Sequence, residues 1–250
     1  RLHIINMREN IGLAAAQNLG VGWAACQDFA FVWFLDQDSW PESGLVISLR
    51  KAFIELESYG DLPAAVGPYL LDHRDGVVVP FVRFHAWGIK RIYLDPSLRH
   101  IKSDFLISSG LFTSIKRFQT IGHWEEALFI DNVDLEWCFR AKSKGFNCYG
   151  VNQARLSHTL GESLMRLRFM RGHIPIYFHS PVRHYYMMRN RITLYRRSYI
   201  PLSWKIQDLP RALLKTLLFC IVFGPRRQNL KFTFRGVWDG LRGRLGPLAE

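Results

Sequence analysis

The feature that most constrains this fold is the run Phe29-Ala30-Phe31-Val32-Trp33-Phe34-Leu35, which ends abruptly in Asp36-Gln37-Asp38. Seven consecutive apolar, β-prone residues read as a strand covered on both faces, as in a parallel sheet. Upstream, Leu2-His3-Ile4-Ile5 reads as a short strand and Leu13 to Ala25 as an alanine-rich helix. Strand, helix, strand in that order is a βαβ unit with a right-handed crossover. Open α/β sheets bind ligands beyond the carboxyl ends of their strands. Two carboxylates at that point, one residue apart, can hold Mg2+ or Mn2+ and, through it, phosphate oxygens. In a surface loop the same triplet is a solvated turn; its place after an apolar strand favours the functional reading.

Further elements follow from periodicity and turn chemistry. Residues 42–58 read as a helix, Ala64 to Leu70 and Val77 to Phe84 as strands around a turn at Asp75-Gly76, and Phe105 to Thr113 as a strand-like piece. Asp134 to Lys144 reads as a helix closed by Gly145, and Phe146 to Val151 as a strand. Val182 to Tyr199 and Pro210 to Phe223 read as the last helices. The expected architecture is α/β: a mainly parallel central sheet flanked by helices, with a basic helical C-terminal extension.

Charge divides the chain. Through Glu162 there are 16 Lys+Arg against 18 Asp+Glu; from Ser163 onward the balance is 17 against 3. Such asymmetry points to an anionic partner for the C-terminal part, with a plain solvated face as the alternative. Tyr185, Tyr186, Arg189, Arg191, Tyr195, Arg196 and Arg197 interleave aromatics with arginines, as single-strand nucleic-acid binders do. The same composition suits a helix on an anionic lipid surface, which is the preferred expectation. Ala212 to Phe223 is too short to span a bilayer but suits a helix lying in its interface, flanked by Arg211, Lys215, Arg226 and Arg227. No charged head followed by an apolar run marks a signal peptide. Cys26, Cys138, Cys148 and Cys220 lie in apolar stretches without metal or disulfide spacing and read as buried thiols of a reduced compartment.

A second constellation is Phe129-Ile130-Asp131-Asn132-Val133-Asp134-Leu135-Glu136-Trp137-Cys138-Phe139-Arg140. Asp134 stands at a helix start, where a carboxylate is a common cap and its pKa is expected to stay low. Combined with Asp36 and Asp38 it becomes a candidate general base, with Asp131 as second choice. Glu136 and Arg140, four apart, are placed for an ion pair. Three classes remain open on this reading. An apolar strand ending in D-x-D also resembles haloacid-dehalogenase-type phosphatases, with Asp36 as nucleophile and Asp38 as acid/base. A non-catalytic basic module binding membrane or nucleic acid is the third.

Asn10-x-Gly12, Asn18-x-Gly20, Asp36-Gln37-Asp38-Ser39, Ser109-Gly110 and Phe129-Ile130-Asp131-x-x-Asp134-x-Glu136-Trp137-Cys138-x-Arg140 together resemble family 2 glycosyltransferases, in the bacterial rhamnosyltransferase branch. The resemblance covers about residues 4 to 160. It implies a GT-A fold, inverting single displacement, dTDP-L-rhamnose as donor and a glycan on a lipid carrier as acceptor. By that resemblance Asp36 and Asp38 serve nucleotide and metal, with His158 as a third metal ligand and Asp134 as base. Asn10, Gly12, Asn18, Gln37, Ser109, Gly110, Glu136, Trp137 and Arg140 fall on the donor and acceptor sides. The implied home is the cytoplasmic face of the cell membrane, in polysaccharide synthesis, with nucleic acid not expected as a partner. The family's first strand, with its V-T-Y-N-like and V-D-N-like segments, has no counterpart here. The expectation is therefore an N-terminally incomplete catalytic domain over residues 1–161, shortened or a degraded copy, followed by a membrane-associating region over 162–250. An exposed sheet edge and weakened nucleotide affinity would follow.

Overall fold

A computed structural model describes residues 2–74, 76–93, 95, 97–159, 163–169 and 172–248, with backbone alone for 163–169 and 172–176. Asp75, Leu160 and Gly161, on which the expected turn and domain boundary fall, lie outside the described residues. The architecture is α/β, a central sheet between helical layers. Its centre is β3 (Pro63–Asp72), buried along nearly its whole length. Side chains alternate across a strand, so Val66 and Leu70 enter one core with Leu49, Phe53 and Leu56 of α2 (Leu45–Ser58). Ala65 and Tyr69 enter the other, shared with Trp137 and Phe139 of α4 (Val133–Ser143) and Phe118 of α3 (Ile115–Ile121).

β3 runs parallel to β9 (Asn147–His158), and this central pair carries the parallel register of the sheet. The pairings around it are antiparallel: β1 (Phe31–Trp33) with β8 (Phe112–Ser114), β8 with β3, β3 with β4 (Val78–Val79), β7 (His100–Ser103) with β9, and β2 (Ser39–Pro41) with β9. The sheet is therefore mixed, and the strand covered on both faces is β3, not β1. β1 ends the strand order and is only half-buried, with Phe29 and Leu35 exposed at its ends. Residues 2–10 form no strand, and Leu2 and Ile4 are exposed, so no βαβ unit precedes Asp36. A strand needs a ladder partner, and none of the described residues supplies one there. The helix does form, as α1 (Leu13–Cys26).

β5 (Phe81–His85) and β6 (Gly88–Ile92) form a separate hairpin, and so do β10 (Ser163–Phe169) and β11 (Gly172–Phe178). The second opens a C-terminal part that was expected to be helical throughout. It continues through α5 (Pro181–Arg196), α6 (Leu202–Leu217), a π-helical turn at Leu218–Val222 and α7 (Arg226–Arg242). α5 and α7 approach closely because Gly236 and Gly240, four apart, share one face of α7. A Cβ on Gly236 would lie 2.5 Å from the Tyr185 carbonyl oxygen, and one on Gly240 2.8 Å from that of Arg189. All four thiols are free, but Cys26 is exposed and only Cys138 and Cys148 are buried.

Candidate active site

The acidic cluster is built by register across the sheet. β9 is bulged between Val151 and Arg155, and its outer edge passes from β7 to β2. That switch sets His158 opposite Ser39 on one side and Asp72 on the other. His158 Nδ1 lies 3.1 Å from Ser39 Oγ and 3.4 Å from Asp38 Oδ1, and its Nε2 lies 3.9 Å from Asp36 Oδ2. Ser109 braces the turn: its Oγ is 2.6 Å from Ser39 Oγ and accepts the Asp36 amide at 3.3 Å. Gly110 (φ 95°) lets that segment pass under the sheet, where a Cβ would meet Pro68 and Leu156 at 2.9 Å. Burial raises the Asp36 carboxyl pKa, and the neighbouring Asp38 adds to the effect against the opposing pull of His158.

The ligand atoms of Asp36, Asp38 and His158 lie within 4.8 Å of one another. Two carboxylates and an imidazole suit a hard divalent ion such as Mg2+ or Mn2+. Holding a ligand histidine by its other ring nitrogen is a common second layer in metal sites, and Ser39 is placed to do this at Nδ1.

The cluster opens into a cleft of about 870 Å3, whose opposite wall carries Ile130, Asp131, Val133, Asp134 and Arg183. Asp134 is not the cap of α4. Asn132 holds that position with φ 61°, and the Asp134 carboxylate accepts the Leu135 amide at 2.8 Å and the Ser108 amide at 3.2 Å. The expected low pKa is not found. Although the residue keeps some surface in the cleft, desolvation outweighs those two amides and pushes its carboxyl up to about 6, with Asp131 adding to the rise. Arg183 grips Asp131 from α5, its Nε and Nη2 both 3.1 Å from the carboxylate. Nothing in the sequence singled out Arg183, which lay unremarked within a basic stretch; Leu13, Gln17 and Thr159 also line the cleft unforeseen.

Gln37 lines the cleft with its two neighbours. Asn10 accepts the Gly12 amide at 3.0 Å, and Gly12 (φ 86°) packs against Phe129 so closely that a Cβ would lie 2.6 Å from its ring. Asn18 turns to the other side of α1, its amide donating to the Trp124 carbonyl at 3.0 Å and Glu126 at 2.8 Å. Glu136, Trp137 and Arg140 do not line the cleft. Residues two apart on a helix point some 200° apart, so Asp134 facing the cleft sends Glu136 into the interior. There Glu136 is fully buried, ion-paired with Arg140 at 2.9 Å as the spacing predicts and with Arg197 at 3.2 Å. Trp137 Nε1 donates to the Gly122 carbonyl at 2.8 Å.

Among solved structures, the fold is similar to GalNAc-T7 crystallised with UDP, GalNAc and Mn2+, at TM-score 0.53 and 12% identity over 95% of this chain and 44% of that one. It is equally similar to S. aureus TarS, at TM-score 0.53 and 14% identity over 94% of this chain and 38% of that one. The chain thus spans less than half the length of either structure. This is the fold of a GT-A glycosyltransferase. No family model matches the sequence. Over 250 residues the chain is 30% identical to the dTDP-rhamnosyl transferase RfbF of Shigella flexneri, covering 98% of this chain and 80% of that protein. The chain belongs to the family 2 glycosyltransferases, in the bacterial rhamnosyltransferase branch. That membership sets aside the phosphatase and the non-catalytic module.

Proposed function

We infer that the enzyme moves L-rhamnose from dTDP-L-rhamnose, with inversion, onto a lipid-linked glycan in cell-surface polysaccharide synthesis. The observation that supports this most is the meeting of Asp36, Asp38 and His158 with Asp134 across one cleft, in a chain related to a dTDP-rhamnosyl transferase. Asp36, Asp38 and His158 are the residues that would hold Mg2+ or Mn2+. When bound, the ion neutralises charge developing on the diphosphate leaving group. Asp134 takes the proton of the acceptor hydroxyl as its oxygen attacks the anomeric carbon and the bond to the diphosphate breaks. With a pKa near 6 it is ionised at neutral pH yet basic enough to serve.

Asn10, Gly12 and Gln37 are assigned to the nucleotide side, and Ser109 and Gly110 to the support of the acidic turn. Asn18, Glu136, Trp137 and Arg140 act through packing behind the cleft. Residues 162–250 complete this picture as a region that seats the enzyme on the inner face of the cell membrane. No helix among the described residues is long and apolar enough to cross a membrane. α6 does expose Leu202, Ile206, Leu209, Leu213 and Leu217 along one side, and α7 exposes Leu230, Phe234 and Leu241. An apolar face edged by Arg211, Arg226, Arg227 and Lys231 fits anionic lipid better than a second copy carrying the same charge.

Calorimetric titration of dTDP, dTDP-rhamnose and UDP, with and without Mn2+, tests the donor assignment. Mn2+-dependent binding that favours the dTDP compounds is the expected result; a preference for UDP would overturn it.

A further inference from the structure

The segment carrying the base follows an unusual path. Phe129, Asp131 and Asn132 all have left-handed φ values, 65°, 63° and 61°. Asp and Asn tolerate this region better than most side chains, but Phe129, at φ 65° and ψ −64°, makes a rare and strained γ-turn, and such strain persists only where the surroundings over-determine it.

The surroundings here come from α5. Asn190 is fully buried, and its Nδ2 donates to the carbonyls of Leu128, Ile130 and Asp131 at 3.0, 2.7 and 2.8 Å. Arg189, also fully buried, donates from Nε to Asn190 Oδ1 at 3.0 Å, which fixes the amide with its NH2 towards those carbonyls. Its Nη2 reaches the Leu128 carbonyl at 2.8 Å, and its Nη1 bonds the Gly246 carbonyl, while the Gly246 amide returns to Ala127 at 2.7 Å. Two adjacent side chains thus hold the carbonyl before Phe129, the one between Phe129 and Asp131, and that of Asp131 itself. About two turns before them, Arg183 holds the Asp131 side chain.

We propose that Asn190, oriented by Arg189, is a positioning residue for the catalytic base: it locks residues 128–131 in the one backbone path that delivers the Asp134 carboxylate to the Ser108 amide at the cleft wall. This rests on the reading of Asp134 as base, and it makes the C-terminal helices part of the catalytic apparatus. Packing alone would need a side chain of this size at Asn190; positioning needs its two N–H groups directed at backbone oxygens. A loop released from them lets Asp134 drift into water, away from Asp131 and from the Cys138 thiol of its own helix.

The test is a carbon-13 carboxyl NMR titration of Asp134 in the full chain, its signal assigned by its loss in Asp134→Asn. In Asn190→Ala the midpoint is expected to fall from about 6 to below about 5, back towards an ordinary aspartate. Turnover should drop at least about tenfold while Mn2+-dependent dTDP binding is kept. Thr193→Val, which removes a hydroxyl bonded to the Arg189 carbonyl on the same helix, should lower the melting temperature without moving the titration. If Asn190→Ala does not fold, Arg189→Lys, which keeps the charge but loses the fork, should move the midpoint in the same direction. An unchanged midpoint in whichever of the two folds would overturn the proposal. Full activity in Asp134→Asn would instead overturn the base assignment, independently of Asn190.

Discussion

Ser39 and His158 face one another across an antiparallel pair, with Ser39 Oγ 3.1 Å from His158 Nδ1. The serine that follows the acidic triplet therefore orients the histidine that completes it. His158→Ala is expected to weaken Mn2+ binding by at least about tenfold, and Ser39→Ala to weaken it less, because only the orienting bond is lost. Calorimetry with Mn2+ and dTDP checks both, and equal affinity in wild type and His158→Ala would remove the histidine from the metal site.

Asp134 gives the enzyme a pH signature. Its carboxyl is raised from 3.8 to about 6, so the rate of transfer should fall as the pH drops below about 6, one proton extinguishing the base. The stability consequence has the opposite sign. A raised carboxyl favours the folded state below its unfolded pKa, and that contribution is lost as the pH climbs through 6. Asp134→Asn is expected to abolish transfer and keep nucleotide binding, and should therefore gain stability relative to wild type between pH 4 and 6, by no more than about 3 kcal/mol. Denaturant melts at several pH values measure this, and a gap that narrows as the pH rises would contradict it.

The close contact of α5 and α7 sets a third expectation. Gly236→Ala places a methyl group 2.5 Å from the Tyr185 carbonyl oxygen, a backbone atom that cannot turn aside. The helices must separate, at a cost of about 1–3 kcal/mol, and thermal unfolding should report a lower melting temperature.

The apolar side of α6 supplies the fourth. Leu213 and Leu217 are 56% and 55% exposed, so changing both to Glu leaves the folded core intact. Flotation with phosphatidylglycerol vesicles should lose the double variant while dTDP binding stays as in wild type. Retention on the vesicles would remove α6 from the membrane contact.

The acidic triplet, the place of Asp134 on the same cleft and the α/β class were all legible in the sequence, because each is a local pattern: an apolar run meeting carboxylates, or a helix start meeting Asp134. Strand direction was not. The run ending at Leu35 has the composition of an interior strand, yet β1 lies at the end of the strand order, and only the non-local pairing with β8 reveals that. The motif around Glu136 misled in a different way. Its residues lie close in sequence to Asp134, but helical rotation turns them to the interior, where they hold the helix from behind. Arg183 and Asn190 escaped notice because a basic, tyrosine-rich helix looks the same whether it meets lipid or a backbone loop.

The pairing of β2 with β9 also has a consequence for biosynthesis. Ser39 and His158 are 119 residues apart in the chain, and a ribosome adding about 5–20 residues per second needs roughly 6–24 s to cover that stretch. Throughout that interval the acidic triplet has been made but the histidine that completes it has not. A nascent chain stalled before β9 should therefore bind metal more weakly than the finished protein, and ligand binding can add its full stabilisation only after His158 has been made.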